Sequence, residues 1–322
     1  MDITYRVFDP NTDHPGMVEL HNQVYPEQPL TLEERLESER LVSPETIRER
    51  WVAIQGDTML GFGMAIHVAG DVPGQFFIVC WVHRDFRGRG IGKKLTRDAI
   101  AFALSQNAQT LLTWVREDNP TALRFAGSHG FVLETAGTAS ALDLESFDLT
   151  AFNDPAIRLE ASGVRFTDLE QWGDTLEHRR AFHGAFLSLM RDAPSIDYQP
   201  SFEDFERETL GRKSFAASGV RLVLDSQDRV IAWTGLDFDV STMQANCYGT
   251  WVQASHRGHG LAFALKLAAC RWALVQGVKR ILTDNESGNA PMLAINTKLG
   301  FKQEIGLCRL QRLIGADSSG PE

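Results

Sequence analysis

Two short turns in this chain carry the residue types that hold a phosphate. Arg87-Gly88-Arg89-Gly90-Ile91-Gly92 and Arg257-Gly258-His259-Gly260-Leu261-Ala262 both combine glycines with basic side chains. Each lies between an apolar run and an amphipathic run, the junction where the unpaired first amides of a helix face outward. Gly90 and Gly92, and Gly260 and Ala262, keep bulky side chains off those amides, while Arg87, Arg89 and Arg257 add positive charge. Such a turn is a cradle for a pyrophosphate. The spacing GxGxG or GxGxA is a poor match to the GxGxxG of dinucleotide folds. No GxxxxGKS or GxxxxGKT occurs, which excludes a P-loop.

The two turns belong to a longer repeat. Trp81–Phe131 lies on Trp251–Phe301 without a gap, at an offset of about 170 residues. Trp81-Val82 falls on Trp251-Val252, Asn119 on Asn289, and Gly130-Phe131 on Gly300-Phe301. Two copies in register make a chance glycine-rich helix start a weak explanation.

The elements that must position these turns follow from periodicity. In the first half, Ile3–Phe8, Trp51–Ile54, Met59–His67, Gln75–Val82, Thr110–Val115 and Phe131–Leu144 read as strands. His14–Tyr25, Leu30–Glu39, Gly88–Ser105 and Asn119–Ser128 read as helices. The second half repeats the order, with strands at Val164–Leu169, Arg221–Leu224, Val230–Asp237, Asn246–Val252, Arg280–Asp284 and Phe301–Leu313. Its helices are Leu176–Met190, Phe202–Leu210, Gly258–Val275 and Ala290–Lys298. The expected domains are 1–145 and 163–314, joined by a linker over 146–162 and followed by a disordered tail over 315–322.

Bulk composition narrows the function. With 322 residues, 43% hydrophobic and 23% charged, the chain is an ordinary globular protein of two domains. A net charge of −10 argues against a general nucleic-acid binder. The four cysteines, Cys80, Cys247, Cys270 and Cys308, form no CxxC pair and fit a reducing, cytoplasmic setting. Met1–Arg6 reads as no signal peptide, and the apolar run Leu261–Val275 carries Lys266 and Arg271, so no membrane span is expected. His178, His183, His256 and His259 lack a ligand spacing, so no metal is expected.

The pattern R-x-x-G-x-G/A at a strand-to-helix junction resembles the acyl-CoA pyrophosphate loop of the GCN5-related N-acetyltransferases (GNAT). It stands here as Arg87-x-x-Gly90-x-Gly92 and Arg257-x-x-Gly260-x-Ala262, with Asn119-Pro120 through Gly130-Phe131 and Asn289-Ala290 through Gly300-Phe301 downstream. The resemblance implies an α+β protein of two tandem GNAT domains. Each would be a mixed, mostly antiparallel sheet with a V-shaped splay, flanked by helices. It implies acetyl-CoA as co-substrate, with pantetheine in the splay and a backbone amide near Val82 or Val252 polarising the carbonyl. The residues carried over as cofactor-binding are Trp81, Val82, Arg87, Gly88, Arg89, Gly90, Ile91, Gly92 and Asn119 in the first copy. In the second copy they are Trp251, Val252, Arg257, Gly258, His259, Gly260, Leu261, Ala262 and Asn289. For Asn119 and Asn289, a pantetheine contact and a helix cap are equally open.

The family's usual catalytic side chains are missing in both halves. The tyrosine position before the final Gly-Phe holds Ala126 and Asn296, and the glutamate position on the loop strand holds Phe76 and Asn246. Three readings follow: proton loss through water, other residues in the roles, or acyl-CoA binding without turnover. Tyr248, two residues from Asn246 and so expected on the same strand face, is one candidate. Glu286, Asn296 and the Val252 backbone amide are the others. Asn246, Tyr248, Thr250, Asp284, Asn285, Glu286, Asn289 and Asn296 all belong to the second copy, which is therefore expected to do the chemistry.

The leading expectation is transfer of an acetyl group from acetyl-CoA to a primary amine by direct attack. Its rival is a duplicated acyl-CoA-binding pseudo-enzyme or sensor. The acceptor, a small molecule or a peptide amine, is left open, as is the oligomeric state, with a monomer allowed. Trp172, Phe182, Phe186 and Met190 are expected in the core. The acidic segment holding Asp192, Asp197, Glu203 and Asp204 is expected as a solvated loop, with attraction of a cationic amine as the sharper alternative.

Overall fold

The computed structural model describes residues 2–26, 29–193 and 198–315. The first part of the chain forms β1 (Thr4–Val7), α1 (His14–Val24), α2 (Leu32–Leu41), β2 (Ile47–Gln55), β3 (Thr58–His67) and β4 (Gln75–Val82). It continues into α3 (Ile91–Ser105), β5 (Thr110–Arg116) and α4 (Pro120–Ser128). The next strand, β6 (Val132–Asp143), runs out of this unit: the first compact unit ends at Glu134.

The second unit takes β6 from Thr135 on, then α5 (Pro155–Glu160), β7 (Arg165–Asp168), α6 (Leu169–Trp172), α7 (Leu176–Asp192) and α8 (Phe202–Phe205). It continues with β8 (Phe215–Leu224), β9 (Val230–Asp239), β10 (Gln244–Val252), α9 (Leu261–Val275), β11 (Arg280–Glu286), α10 (Ala290–Leu299) and β12 (Lys302–Gln303). The last strand, β13 (Leu307–Leu313), returns from Cys308 onward to the first unit.

The sheet of the first unit therefore has the order β1-β2-β3-β4-β5-β13, and that of the second β7-β8-β9-β10-β11-β6. Each copy ends in a strand supplied by the far side of the other copy's sequence. In the second unit, β6 pairs antiparallel with β11 from Gly137↔Glu286 to Asp143↔Arg280. In the first, Ile314 donates to the Gln109 carbonyl at 2.8 Å, and Arg312 donates to the His129 carbonyl at 3.0 Å. Arg309, 5% exposed, ion-pairs with Glu134 at 2.8 Å.

The sequence divisions at 145 and 163 follow the chain, and the compact units depart from them at these strands. Residues 146–162 are packed rather than extended. Phe147, Leu149 and Phe152 lie against the core of the second unit, and Asp154 pairs with Arg271 on α9. Phe301–Leu313, expected as one strand, is broken between β12 and β13. The tail from 316 and Asp197 lie outside the described residues.

Both sheets are mostly antiparallel, with parallel pairing at β4/β5 and at β10/β11. Their cores follow the periodicity of the covering helices. In α3 the buried positions are Ile91, Leu95, Thr96, Ala99, Ile100 and Ala103, spaced by three and four. In α7, Phe182, Ala185, Phe186 and Met190 are buried against Trp233 of β9, whose indole donates to the Ala185 carbonyl at 3.2 Å. Trp172 joins the same core. Closing such a core stabilises the fold by about 1.5–3 kcal/mol per large apolar side chain. Among the described residues no helix is long and apolar enough to cross a membrane, and no group of His, Cys, Asp or Glu could hold a metal ion.

Candidate functional site

The two glycine-rich turns fold alike. Each follows a 3-10 turn after its strand, Arg84–Phe86 or Ala254–His256. Each enters its helix through a glycine in the left-handed region, Gly90 at φ +82 and Gly260 at φ +89. A side chain at either position would meet no atom within 4 Å, so the space over the helix starts is open. What bares the first amides of α3 and α9 is the positive φ, which side chains other than glycine resist. The described residues thus fit a phosphate cradle built from backbone.

The arginines are used differently from expectation. Arg87 donates from Nε to the Val82 carbonyl at 3.2 Å, and Arg257 to the Val252 carbonyl at 3.0 Å. Arg257 also pairs through Nη2 with Asp192 at 2.5 Å, and Asp192 accepts from the Trp251 indole at 2.8 Å. These arginines tie loop to strand, and the Arg257 charge is partly answered. Asp192, read as part of a solvated acidic loop, is the residue that does this. Arg89 stacks over Phe86 and Lys94 pairs with Asp98. His259, exposed, points Nδ1 at the His256 carbonyl at 3.3 Å.

The strands beside the turns splay. The β10/β11 ladder runs from Gln244↔Arg280 to Cys247↔Thr283 and ends there. The β4/β5 ladder ends at Phe77↔Leu112. On the other side of β10, Gln253 donates to Ile231 at 2.8 Å, and the register to β9 is unbroken from Gly249 to Val252. Bonded pairs alternate in an antiparallel ladder, so Trp251 and Gly249 bond to β9 while the amides of Val252 and Thr250 point away from it. They face the gap where β11 no longer pairs. The same holds for Val82 and Cys80, because His83 donates to Leu60 at 2.9 Å. The Val252 amide expected at the reacting carbonyl is thus turned towards the gap.

On the α7 side of the second sheet lies a group of polar side chains with unmet hydrogen bonds. Asp237 is 7% exposed; one carboxylate oxygen pairs with Arg212 at 2.7 Å and the other, Oδ1, has no partner. The buried Tyr248 hydroxyl also has none. Arg212 lies 5.8 Å from the Tyr248 ring centroid, linking the two. Burial raises the Asp237 pKa above the ordinary 3.8, and Arg212 only partly offsets it. Burial, then the Asp237 charge, pushes the Tyr248 phenol well above 10. Tyr248 is therefore a fixed hydroxyl donor and Asp237 the group that titrates. Gly235 makes room for the ring: a Cβ there would stand 2.3 Å from Tyr248 Cζ. A buried unpaired carboxylate oxygen costs about 1–3 kcal/mol.

Sequence reasoning missed Asp237 and Arg212. The available signal was an aspartate closing an apolar run, Ile231 to Leu236. Position for position, the first unit puts His67 and Phe76 where the second has Asp237 and Asn246. Phe76 is 2% exposed and packs against His67, so that face is apolar.

Other expected residues take quieter places. Asn119 and Asn289 cap α4 and α10, accepting from Ala122 at 3.0 Å and Met292 at 3.3 Å. Asn296 is 2% exposed and donates to Asn285 at 2.7 Å, fastening α10 to β11; its Oδ1 has no partner. An amide does not titrate at working pH, so Asn296 supplies no proton there. Glu286, placed just past its strand by sequence, is the last residue of β11, opposite Gly137. Asn246 is exposed, while Thr250 meets Thr234 at 2.8 Å. His178 and His183 point ring nitrogens at the Gly173 and Pro200 carbonyls, both at 3.0 Å.

Comparison with known proteins agrees with this fold. The family model for the acetyltransferase (GNAT) family matches residues 14–131 and 185–301. The chain is 26% identical over 254 residues to a mycothiol acetyltransferase of Saccharomonospora viridis, covering 74% of each. Among solved structures it resembles a tandem GNAT protein from the clavulanic acid biosynthesis pathway, with TM-score 0.77 and 22% identity over 98% of this chain and 100% of that one. It also resembles a GCN5-related N-acetyltransferase from Sphaerobacter thermophilus, with TM-score 0.75 and 16% identity over 98% and 97%.

Proposed function

Since the chain belongs to the GNAT acetyltransferase family, we propose that its second unit transfers an acetyl group from acetyl-CoA to a primary amine by direct attack. Bound acetyl-CoA supplies the activated acyl group; the residues described below bind it, orient it and move a proton.

The first amides of α9, bared by Gly258 and Gly260, would hold the pyrophosphate. The gap beyond Cys247↔Thr283 would take the pantetheine arm, and the Val252 amide would polarise the acyl carbonyl. Asp237, level with Asn246 and so six residues along β10 from Val252, would receive the proton of the incoming amine at its unpartnered Oδ1 through intervening water. The Tyr248 hydroxyl, held protonated, would donate a hydrogen bond that orients the acceptor.

The observation that carries this reading is the pair of unmet polar atoms, Asp237 Oδ1 and Tyr248 OH, in the unit whose Val252 amide faces a strand gap. The acceptor is an amine of a small molecule or a peptide. Asp237 accounts for a proton acceptor where the family's glutamate position holds Asn246.

A second reading applies to the first unit. Its turn and splay are intact, but Phe76 and Ala126, 2% and 6% exposed, line the corresponding positions. We propose that it binds acyl-CoA without turnover, or serves structurally. Thiol release from acetyl-CoA across a panel of amines tests both. Amine-dependent release is expected; cofactor binding with no release from any amine would make the whole protein a binding module.

A further inference from the structure

Arg212 is a charged side chain that the proposed chemistry leaves without a task. Its Nη1 lies 2.7 Å from Asp237 Oδ2, so Oδ1 is the carboxylate oxygen left to take a proton. Its guanidinium carbon stands 5.8 Å from the centroid of the Tyr248 ring, near the outer limit of a cation–π contact. One side chain therefore reaches both Asp237 and Tyr248, whose polar atoms are buried and unmet.

The chain before β8 is built to put it there. α8 runs into a π-helical turn, Glu206–Leu210, and Gly211 follows. A Cβ on Gly211 would stand 2.6 Å from the Arg207 carbonyl oxygen, so the tight exit from that turn needs a glycine. Glu206 pairs with Arg179 of α7 at 3.0 Å, which fastens the turn to the helix. Arg212 donates from Nε to the Thr209 carbonyl at 3.4 Å. Its own carbonyl accepts from Phe215 at 3.0 Å, where β8 begins opposite Asp237. The loop in the same place in the first unit, between α2 and β2, reads Val42-Ser43-Pro44-Glu45-Thr46 and holds no cation.

The cross-strand neighbours of Asp237 on β8 and β10 are Phe215 and Asn246, which carry no charge. The titratable groups that face it are Arg212, from the segment before β8, and Tyr248, from β10. Burial raises the carboxyl above the ordinary 3.8, and the Arg212 charge is what opposes that rise.

We propose that Arg212 is a positioning residue of the acyl transfer: as counter-charge on Oδ2, it holds the Asp237 carboxylate ionised, with Oδ1 left to receive the amine's proton. The inference rests on the proposed function, because only there is Asp237 the proton acceptor. The proton leaves the amine nitrogen and ends on Oδ1 through water; the guanidinium stays charged throughout and gives up none.

The test sets the full chain beside Arg212→Gln and Arg212→Lys. In each, kcat/KM for acetyl transfer is followed against pH. The Asp237 carboxyl is titrated in the same proteins by carbon NMR with labelled aspartate, Asp237→Asn assigning its signal. The Arg212 side chain is 34% exposed, so both variants are expected to fold and water screens its charge. The effect therefore belongs at the low end of what a guanidinium does to a nearby carboxyl. Arg212→Gln, which keeps a donor but no charge, should move the Asp237 midpoint and the acid limb up together by about 1 in pH. The rate on that limb falls by about tenfold and recovers at higher pH. Arg212→Lys, which keeps the charge, should restore most of both. An Asp237 midpoint unmoved in Arg212→Gln, or a rate lowered equally at every pH, would overturn the inference and leave the function standing. A midpoint that moves while the acid limb stays would remove Asp237 as proton acceptor, and the inference would fall with that reading.

Discussion

Arg257 donates from Nε to the backbone carbonyl of Val252 at 3.0 Å, five residues back across the turn. Arg87 makes the same bond to Val82. The arginine of the motif thus closes the loop on the strand whose next outward group is the Val252 amide. Asp192 holds the same guanidinium and the Trp251 indole from α7, so turn, strand end and α7 are fixed by one hydrogen-bonded set.

Replacing Asp192 with Ala should loosen that set. The Arg257–Asp192 pair is about half exposed, so the stability loss should be small, about 1 kcal/mol. The expected kinetic effect is a several-fold rise in KM for acetyl-CoA with kcat little changed, read from initial rates at saturating amine.

Gly260→Val should abolish turnover, because φ +89 is strained for valine and its side chain would fill the space over the first amides of α9. Gly90→Val should leave most of the rate. The two variants, assayed by thiol release, assign the working unit; the opposite ranking would move the chemistry to the first.

Asp237 must be ionised to accept a proton, and its pKa is raised by burial. The acid limb of kcat/KM should therefore lie above the ordinary aspartate value of 3.8, with the rate falling as pH drops through the raised pKa. Asp237→Asn should lower kcat/KM by about 10²–10⁴ and remove that limb from the profile.

Tyr248→Phe separates stability from activity. It deletes a buried hydroxyl without a partner, so the folded protein should be unchanged or more stable by about 1 kcal/mol in urea unfolding. Activity should fall if the hydroxyl orients the acceptor; a stabilised variant with full activity would reduce Tyr248 to packing.

Glu39 accepts from Arg35 at 2.6 Å, Arg48 at 2.5 Å and Arg50 at 3.0 Å. Burial acts to raise its pKa, and the three guanidiniums, Arg50 first, lower it below 4.5 overall. A depressed folded pKa means the contribution is full above 4.5 and is lost as pH falls through the folded value. Glu39→Gln should destabilise the first unit by about 3 kcal/mol at neutral pH, since it leaves clustered arginines uncompensated, and by progressively less as pH falls through the folded pKa of Glu39.

The turns, the repeat, the family and most elements were legible in the sequence, because glycine spacing and apolar periodicity are local constraints. Gly90 and Gly260 are needed for a backbone angle, and the buried positions of α3 follow a period that the chain itself displays. Asn119 and Asn289 show the limit of that reading. Both readings of these residues were available, and only the bonds donated by the Ala122 and Met292 amides, in the first turns of α4 and α10, reveal the caps they make.

Tertiary structure decided the rest. Which sheet β6 and β13 join depends on which exposed strand edge each finds, and an apolar strand carries no address for its partner. Asp237 acquires its character from burial, partly offset by Arg212, 25 residues earlier. Cys247 differs from Cys270, which Lys266 also reaches, in having the Thr234 and Thr250 hydroxyls beside its sulfur. The sequence by itself determined a duplicated glycine-rich basic turn and a GNAT fold. Burial and proximity, which set a group's charge and its unmet hydrogen bonds, arise only when distant segments pack.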